Sequence, residues 1–443
     1  MGFAMLRRPL GLIIAASVIL LFTTWGFLTT DYAPRNVPFS VPFRKAAPPT
    51  PPPSPLHVDV IETGGSHDEV TAALVYAFSQ LPSTTIGLYL LLKRYGISEI
   101  YDSFFPTAED ERGQRLIDPN RGPDGFSLEK VKTTSPDVVV LTTCELDIFH
   151  RKEPLGYLLQ EGKTHLFCTI HHADRWNTST AAGEKLVGAL KPWVEAGSVT
   201  FLTLSEHVSK YLHSDILPTW PEMTSPPNIQ AFAPVFPVVL KNEQPDFAIT
   251  QKETAFTLQG DFDAKRRNYT KILSQLREML KSGSETASTL TMHLLGHGPV
   301  PTIPEEVAGH VKIDKNLDYV PFYSTLSKSF ALITAFASET YFTEKASSSV
   351  PASLISGCPL VADRKLLDTY TYLNEDVVWL KEEGEDDMDA VKRVVMEMGE
   401  KEFREKSERV RERNRGLYVG NVERFGGWVE GFRRDREVER EMD

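Results

Sequence analysis

The sequence predicts an α/β protein of two Rossmann-like domains, preceded by one N-terminal transmembrane helix. Three observations carry this expectation. Short apolar runs such as His57–Ile61 (HVDVI), Asp137–Thr142 (DVVVLT) and Phe330–Ala335 (FALITA) alternate with longer helical patterns, as in a parallel sheet with crossover helices. The 443 residues are enough for two such domains. Pro9–Leu28 carries no charge over a length that spans a bilayer as a helix.

That apolar run sets the organisation of the N-terminus. Residues 1–8 read as a cytosolic tail, with Arg7 and Arg8 placed to hold it inside. Residues 9–28 read as an uncleaved signal anchor, since the run is long for a cleaved signal peptide and lacks an A-x-A site. Residues 29–56 contain a dense run of prolines ending in PPTPPPSPL and read as an extended stalk. The expectation is a single-pass type II membrane protein with its body in the secretory lumen, in the Golgi. The sequons at Asn177 and Asn268 are then open to glycosylation.

Charge and cysteines narrow the classes. The net charge of −12 disfavours general nucleic-acid binding, which needs a positive surface. Cys144, Cys168 and Cys358 form neither a metal-ligand spacing nor a dense disulfide framework. They are expected as buried free thiols, with a Cys144–Cys168 bridge as the alternative. No metal site is expected.

The first domain is expected over residues 57–238. After the HVDVI strand come Gly64 and Gly65, which allow a tight turn and close ligand approach, and then a helix from Asp68 to Leu81. The pair lacks the full dinucleotide fingerprint. Further strands are expected at Thr85–Leu91, Asp137–Thr142, His165–Ile170 and Thr200–Leu204. His171 and His172 follow one of them, on the edge where open α/β sheets bind ligands. A shared metal is a poor reading of the pair, because adjacent residues on an extended chain point to opposite sides. Ser205 is expected to cap the next helix and His207 to be exposed.

Residues 213–252 are rich in proline and irregular, and within them a linker is expected at 239–252, followed by a second domain at 253–415 and a charged C-terminal helix crossing back, or tail, at 416–443. The second domain opens with the strand Thr254–Gln259 and the loop Gly260–Arg267, in which Lys265, Arg266 and Arg267 are consecutive cations. Positive charge in a partly dry cleft suits phosphate. Near its end, Phe330–Ala335 and Cys358–Ala362 read as strands flanking a short helix at Val350–Ser356. Ser349 is expected as its N-cap and Gly357 at its C-terminus. The backbone and hydroxyls of Ser347, Ser348 and Ser349 at the helix start suit a phosphate, although the serines also suit plain capping.

The stretch Tyr341–Asp363 (YFTEKASSSVPASLISGCPLVAD) resembles the donor motif of group 1 (family 4-like) glycosyltransferases, which have the two-domain GT-B fold. Glu344 holds the first glutamate position, and Gly357, Pro359, Leu360 and Val361 match the motif's end. Ala352 stands where the motif has its second glutamate, and Asp261 where the Gly-Arg-Leu loop has arginine. The resemblance extends over most of the chain after residue 57. It implies two domains facing a cleft, a nucleotide-sugar donor as substrate with no cofactor, and a glycan, lipid or protein acceptor. It further implies sugar transfer with retention of configuration. Glu344, His171 and His172 would lie at the reacting sugar. Gly64, Gly65, Lys265, Arg266, Ser347, Ser348 and Ser349 would bind the donor. Two other readings stay open: a non-catalytic GT-B module tethered to the membrane, and another nucleotide-sugar enzyme such as an epimerase or hydrolase.

Overall fold

The computed structural model describes residues 55–105, 115–238, 254–282, 289–397 and 399–442, with side chains described as far as residue 434. Thirteen strands fall into two all-parallel sheets. The first holds β1 (Leu56–Glu62), β2 (Thr84–Leu90), β3 (Arg115–Arg121), β4 (Val138–Leu141), β5 (His165–Ile170), β6 (Val199–Thr203) and β7 (Asn228–Ala231), in the order β3-β2-β1-β4-β5-β6-β7. The second holds β8 (Thr254–Gln259), β9 (Leu290–Gly296), β10 (Val311–Lys315), β11 (Ala331–Ile333), β12 (Leu360–Ala362) and β13 (Val378–Leu380), in the order β10-β9-β8-β11-β12-β13. Parallel strands are covered on both faces, so they read as unbroken apolar runs. Every residue of β4 and β5 is buried.

The expected strands lie within a residue or two of their predicted places. The strands β3, β7, β10 and β13 were not expected. The sequences of β3 (RLIDPNR) and β10 (VKIDK) are polar, and both lie at sheet edges, where one side needs no apolar cover. In both sheets the strand order reverses beside the first strand. Val60 of β1 pairs with Leu88 and Val140, and Leu258 of β8 pairs with Leu294 and Ile333. Ligands of such sheets bind outside the carboxyl ends of the strands at the reversal. For this chain those ends are Glu62–Gly65, Thr142–Glu145 and Gln259–Gly260.

The helix Glu400–Met442 runs unbroken for 43 residues, joining the end of the second domain and the charged C-terminal segment that were expected as separate pieces. Packing holds it together. Phe425 sits against Phe78 and Phe167, Trp428 against Phe425, and the Phe432 ring stacks on His165. Asn421 and Asn414 donate to the carbonyls of Ala233 and Phe236 at 2.8 and 3.2 Å.

Several expectations are corrected. Cys144 and Cys168 form a disulfide rather than two thiols; the β4–β5 register sets Cys168 opposite Leu141 and brings the Cα atoms to 5.1 Å. Cys358 is the buried free thiol. His207 is 8% exposed, not open to solvent, because the loop around Lys345 closes over it. Ser205 does not cap its helix through the side chain; its hydroxyl faces His207 Nδ1 at 2.6 Å. Ser349 is the first residue of its helix (Ser349–Ser356) and Ser348 stands at the N-cap. The type II Golgi placement does not stand: among the described residues no helix is long and apolar enough to cross a membrane. The span Pro9–Leu28 and the stalk as far as Ser54, which carried it, lie outside the described residues.

Candidate active site

The two sheets face each other across a cavity of about 520 Å³, lined from both sides. Three hydrogen bonds tie its rims. Ala173 N–H donates to Glu344 O at 3.3 Å, Tyr319 N–H donates to Tyr95 O at 2.7 Å, and His207 Nε2 lies 3.0 Å from Lys345 O.

On the β8 side the central group is Arg267. An antiparallel bridge to Phe336 turns its side chain inward, leaving it 3% exposed. It donates from Nε to Gln259 O at 3.1 Å and from Nη2 to Ser349 Oγ at 2.7 Å, and lies over the rings of Phe336 and Tyr341. Among the described residues no carboxylate is within ion-pair distance of it. Burial pulls its pKa down from the ordinary arginine value. A buried cation without a carboxylate is costly unless a ligand supplies the negative charge. Arg266, Lys345 and Arg175 add positive charge to the same cavity.

The expected donor residues are placed unequally. Arg266, Gly65, Ser347 and Ser348 line the cavity, whereas Gly64, Lys265 and Ser349 do not. Arg266 pairs with Asp261, whose other oxygen lies 2.8 Å from His297 Nδ1. The amides of Gly64 and Gly65 donate to the two oxygens of Glu62, at 2.9 and 2.6 Å, so they are not free to cradle a phosphate. The hydroxyls of Ser347 and Ser349 serve Arg267, and Ser349 also donates to Gln259 Oε1 at 2.7 Å. Ser348 is exposed at the helix start, and its amide makes no hydrogen bond among the described residues. Glu344 is outside the cavity lining and sits 3.6 Å from Lys345 Nζ.

The β1 side is built on histidines. Glu145 Oε1 accepts from the amides of His171 and His172, at 2.8 and 2.9 Å, which fixes the turn after β5. His171 Nε2 lies 2.8 Å from Thr142 O; a carbonyl only accepts, so Nε2 carries the proton and Nδ1 is bare. His67 stacks on His171 with ring centroids 3.6 Å apart. Burial is the first cause holding all three histidines neutral: His67 well below the usual range, His171 below it, and His172 down to about 4. Asp147 accepts from the amides of Thr63 and Thr143, each at 2.8 Å, locking the β1 loop to the β4 turn; burial pushes it up to about 7.

Sequence reasoning gave His67 no role and counted Arg267 only as the third of three consecutive cations. His67 carried a signal, since it follows the glycine pair at the end of β1. Among the described residues no group of three or more His, Cys, Asp or Glu side chains could hold a metal ion.

Solved structures share this architecture. Sucrose-phosphate synthase (tll1590) from Thermosynechococcus elongatus aligns with a TM-score of 0.53 at 12% identity, covering 86% of this chain and 100% of that one. The fold is GT-B. HepE from Anabaena, in complex with UDP and glucose, aligns at 0.52 with 9% identity, covering 85% and 100%. Its complex with UDP-glucose aligns at 0.51 with 9% identity, covering 86% and 100%. No protein-family model and no curated protein sequence matches the chain. At these identities the likeness establishes the GT-B fold, and any function must be argued from the cavity.

Proposed function

We propose that the chain is a glycosyltransferase that moves a sugar from a nucleotide-sugar donor to a hydroxyl-bearing acceptor. The observation that carries this reading is Arg267, a buried guanidinium with no carboxylate partner among the described residues, facing a cavity at the strand ends of a GT-B fold. Arg267, Arg266 and Lys345, with the free amide of Ser348 at a helix N-terminus, form a site for a diphosphate. The same charges stabilise the diphosphate as it departs, which lowers the barrier to transfer. Glu344 positions Lys345, and His171 and His172 face the transferred sugar. Lys265, exposed beside the loop, contributes long-range attraction alone. The donor is a substrate, so this reading needs no cofactor. HepE is solved with UDP and with UDP-glucose, which makes them the first probes.

Ala352, in place of the glutamate of the motif, favours a second reading: nucleotide binding without turnover. Thermal unfolding of the protein with a panel of nucleoside diphosphates and nucleotide-sugars tests the first claim. A ligand at 100 times its Kd adds about 2.7 kcal/mol. Stabilisation by at least one diphosphate is expected, and none by any of them overturns the reading. Product analysis with the donor that binds then separates turnover from binding.

A further inference from the structure

The loop that brings Lys345 to the cavity is held from two directions. Its ends meet at one oxygen. Tyr370, fully buried, donates its hydroxyl proton to Tyr341 O at 2.9 Å and accepts from Ser347 N–H at 3.0 Å. Both ends bear on Arg267: its guanidinium lies over the Tyr341 ring, and its Nη2 donates to Ser347 Oγ at 3.5 Å. The middle of the loop is held by the other domain. Ala173 N–H donates to Glu344 O, and His207 Nε2 lies 3.0 Å from Lys345 O. A carbonyl only accepts, so His207 carries its proton on Nε2. Burial keeps the ring neutral, so Nδ1 is a lone pair, and it accepts from the Ser205 hydroxyl at 2.6 Å. The rings of His207 and Tyr370 meet edge to face, with centroids 4.9 Å apart. A run of contacts thus leads from Ser205 in the first domain through His207 and Tyr370 to Tyr341, and so to Arg267.

We propose that His207 and Tyr370 are positioning residues of the diphosphate site. Tyr370 closes the loop on itself and sets Tyr341 and Ser347 against Arg267. His207 fixes the backbone of Lys345, and so the place from which its ammonium enters the cavity. The inference rests on the donor reading above. Neither residue lines the cavity, so both act through the loop rather than on the ligand. A flexible lysine stem binds an anion well only from a fixed backbone, since any freedom that remains is given up on binding. The first domain thereby takes part in a site whose cations, Arg266, Arg267 and Lys345, all belong to the second.

The test is the affinity for UDP, or for the diphosphate that the nucleotide panel selects, in a calorimetric titration. His207→Phe keeps a ring against Tyr370 and removes both nitrogens, and affinity should fall by roughly 3- to 10-fold. His207→Gln offers an amide N–H to Lys345 O and should recover most of that loss. Tyr370→Phe removes one oxygen, frees both ends of the loop and should lower affinity at least as much; it carries the test if His207→Phe does not fold. A merely structural role would weaken binding equally whatever stands at position 345. On the proposal, His207→Phe costs less in a Lys345→Ala background than in the unaltered protein, because the cation that the loop places is gone. Undiminished affinity in either phenylalanine variant, no recovery in His207→Gln, or equal losses with and without the Lys345 side chain would each overturn the proposal. Absence of diphosphate binding by the unaltered protein would instead fail the donor reading.

Discussion

Replacing Arg267 by methionine separates binding from folding. The side chain of Arg267 donates to Gln259 O, Ser349 Oγ and Arg266 O, and lies 5.3 and 5.5 Å from the ring centres of Phe336 and Tyr341. Methionine fills a similar volume and removes a buried charge. Ser349 Oγ lies 3.1 Å from Gln259 O and 2.7 Å from its Oε1, so its one proton can turn to either acceptor when the guanidinium is gone. The unliganded fold should therefore lose little, about 1 kcal/mol or less, since removing a buried charge offsets the lost hydrogen bonds. Diphosphate binding should lose far more. Hydrogen bonds involving an ion are worth about 1.5–3 kcal/mol, and every 1.4 kcal/mol is tenfold. Affinity for UDP, or for the diphosphate that the panel selects, should fall by roughly 10- to 100-fold in a calorimetric titration. Arg267→Lys should lie between, because an ammonium on a flexible stem does not reproduce the fork. A folded Arg267→Met protein with undiminished affinity would show that the guanidinium does not meet the ligand.

Three further changes test the scaffold. Asp147 has a folded pKa of about 7 against an ordinary 3.8, so its contribution to stability is full below about pH 4 and is lost as pH rises through 7. That difference is on the order of 4 kcal/mol, and Asp147→Asn should flatten the fall when urea unfolding is followed across this range. Breaking the Cys144–Cys168 bridge opens a loop with a sequence separation of 24 and should remove about 3 kcal/mol; an equal denaturation midpoint with and without reductant would contradict this. Gly296→Ala puts a Cβ 1.9 Å from Gly260 O, so the loop leading to Arg266 must shift. A loss of about 1–3 kcal/mol is expected, with weaker diphosphate binding; an unchanged titration would show that the loop tolerates the shift.

The strands that lie inside the sheets were legible, because burial on both faces demands unbroken apolar runs such as VVVL and HLFCTI. The edge strands were not, since NIQA and VKIDK satisfy one side with water and carry little local signal. The disulfide was illegible for a related reason. It depends on the β4–β5 register, which brings together two cysteines 24 residues apart. His207 looked exposed because nothing near it in sequence shows the loop at Lys345 that covers it.

The site shows the same division between residue type and placement. Three consecutive cations, Lys265, Arg266 and Arg267, announced a positive loop, but not which of them points inward. The bridge from Arg267 to Phe336 and the cap that Asn268 gives the next helix, accepting from Lys271 N at 3.0 Å, settle that. Asp261 looked adverse in the sequence, an acid where the resemblance has arginine. In the fold it lines the cavity, but it is paired with Arg266 and lies 2.8 Å from His297 Nδ1. On the function proposed above, the positive charge for a diphosphate comes from Arg267, the last residue of the loop. Protonation was still less visible. A histidine in a sequence is equally an acid, a base or a ring, and here burial keeps His67 neutral while the hydroxyl of Thr143, committed to Glu62, sets its proton on Nδ1. The cleft thus carries a buried guanidinium on the β8 side and neutral, stacked histidine rings on the β1 side.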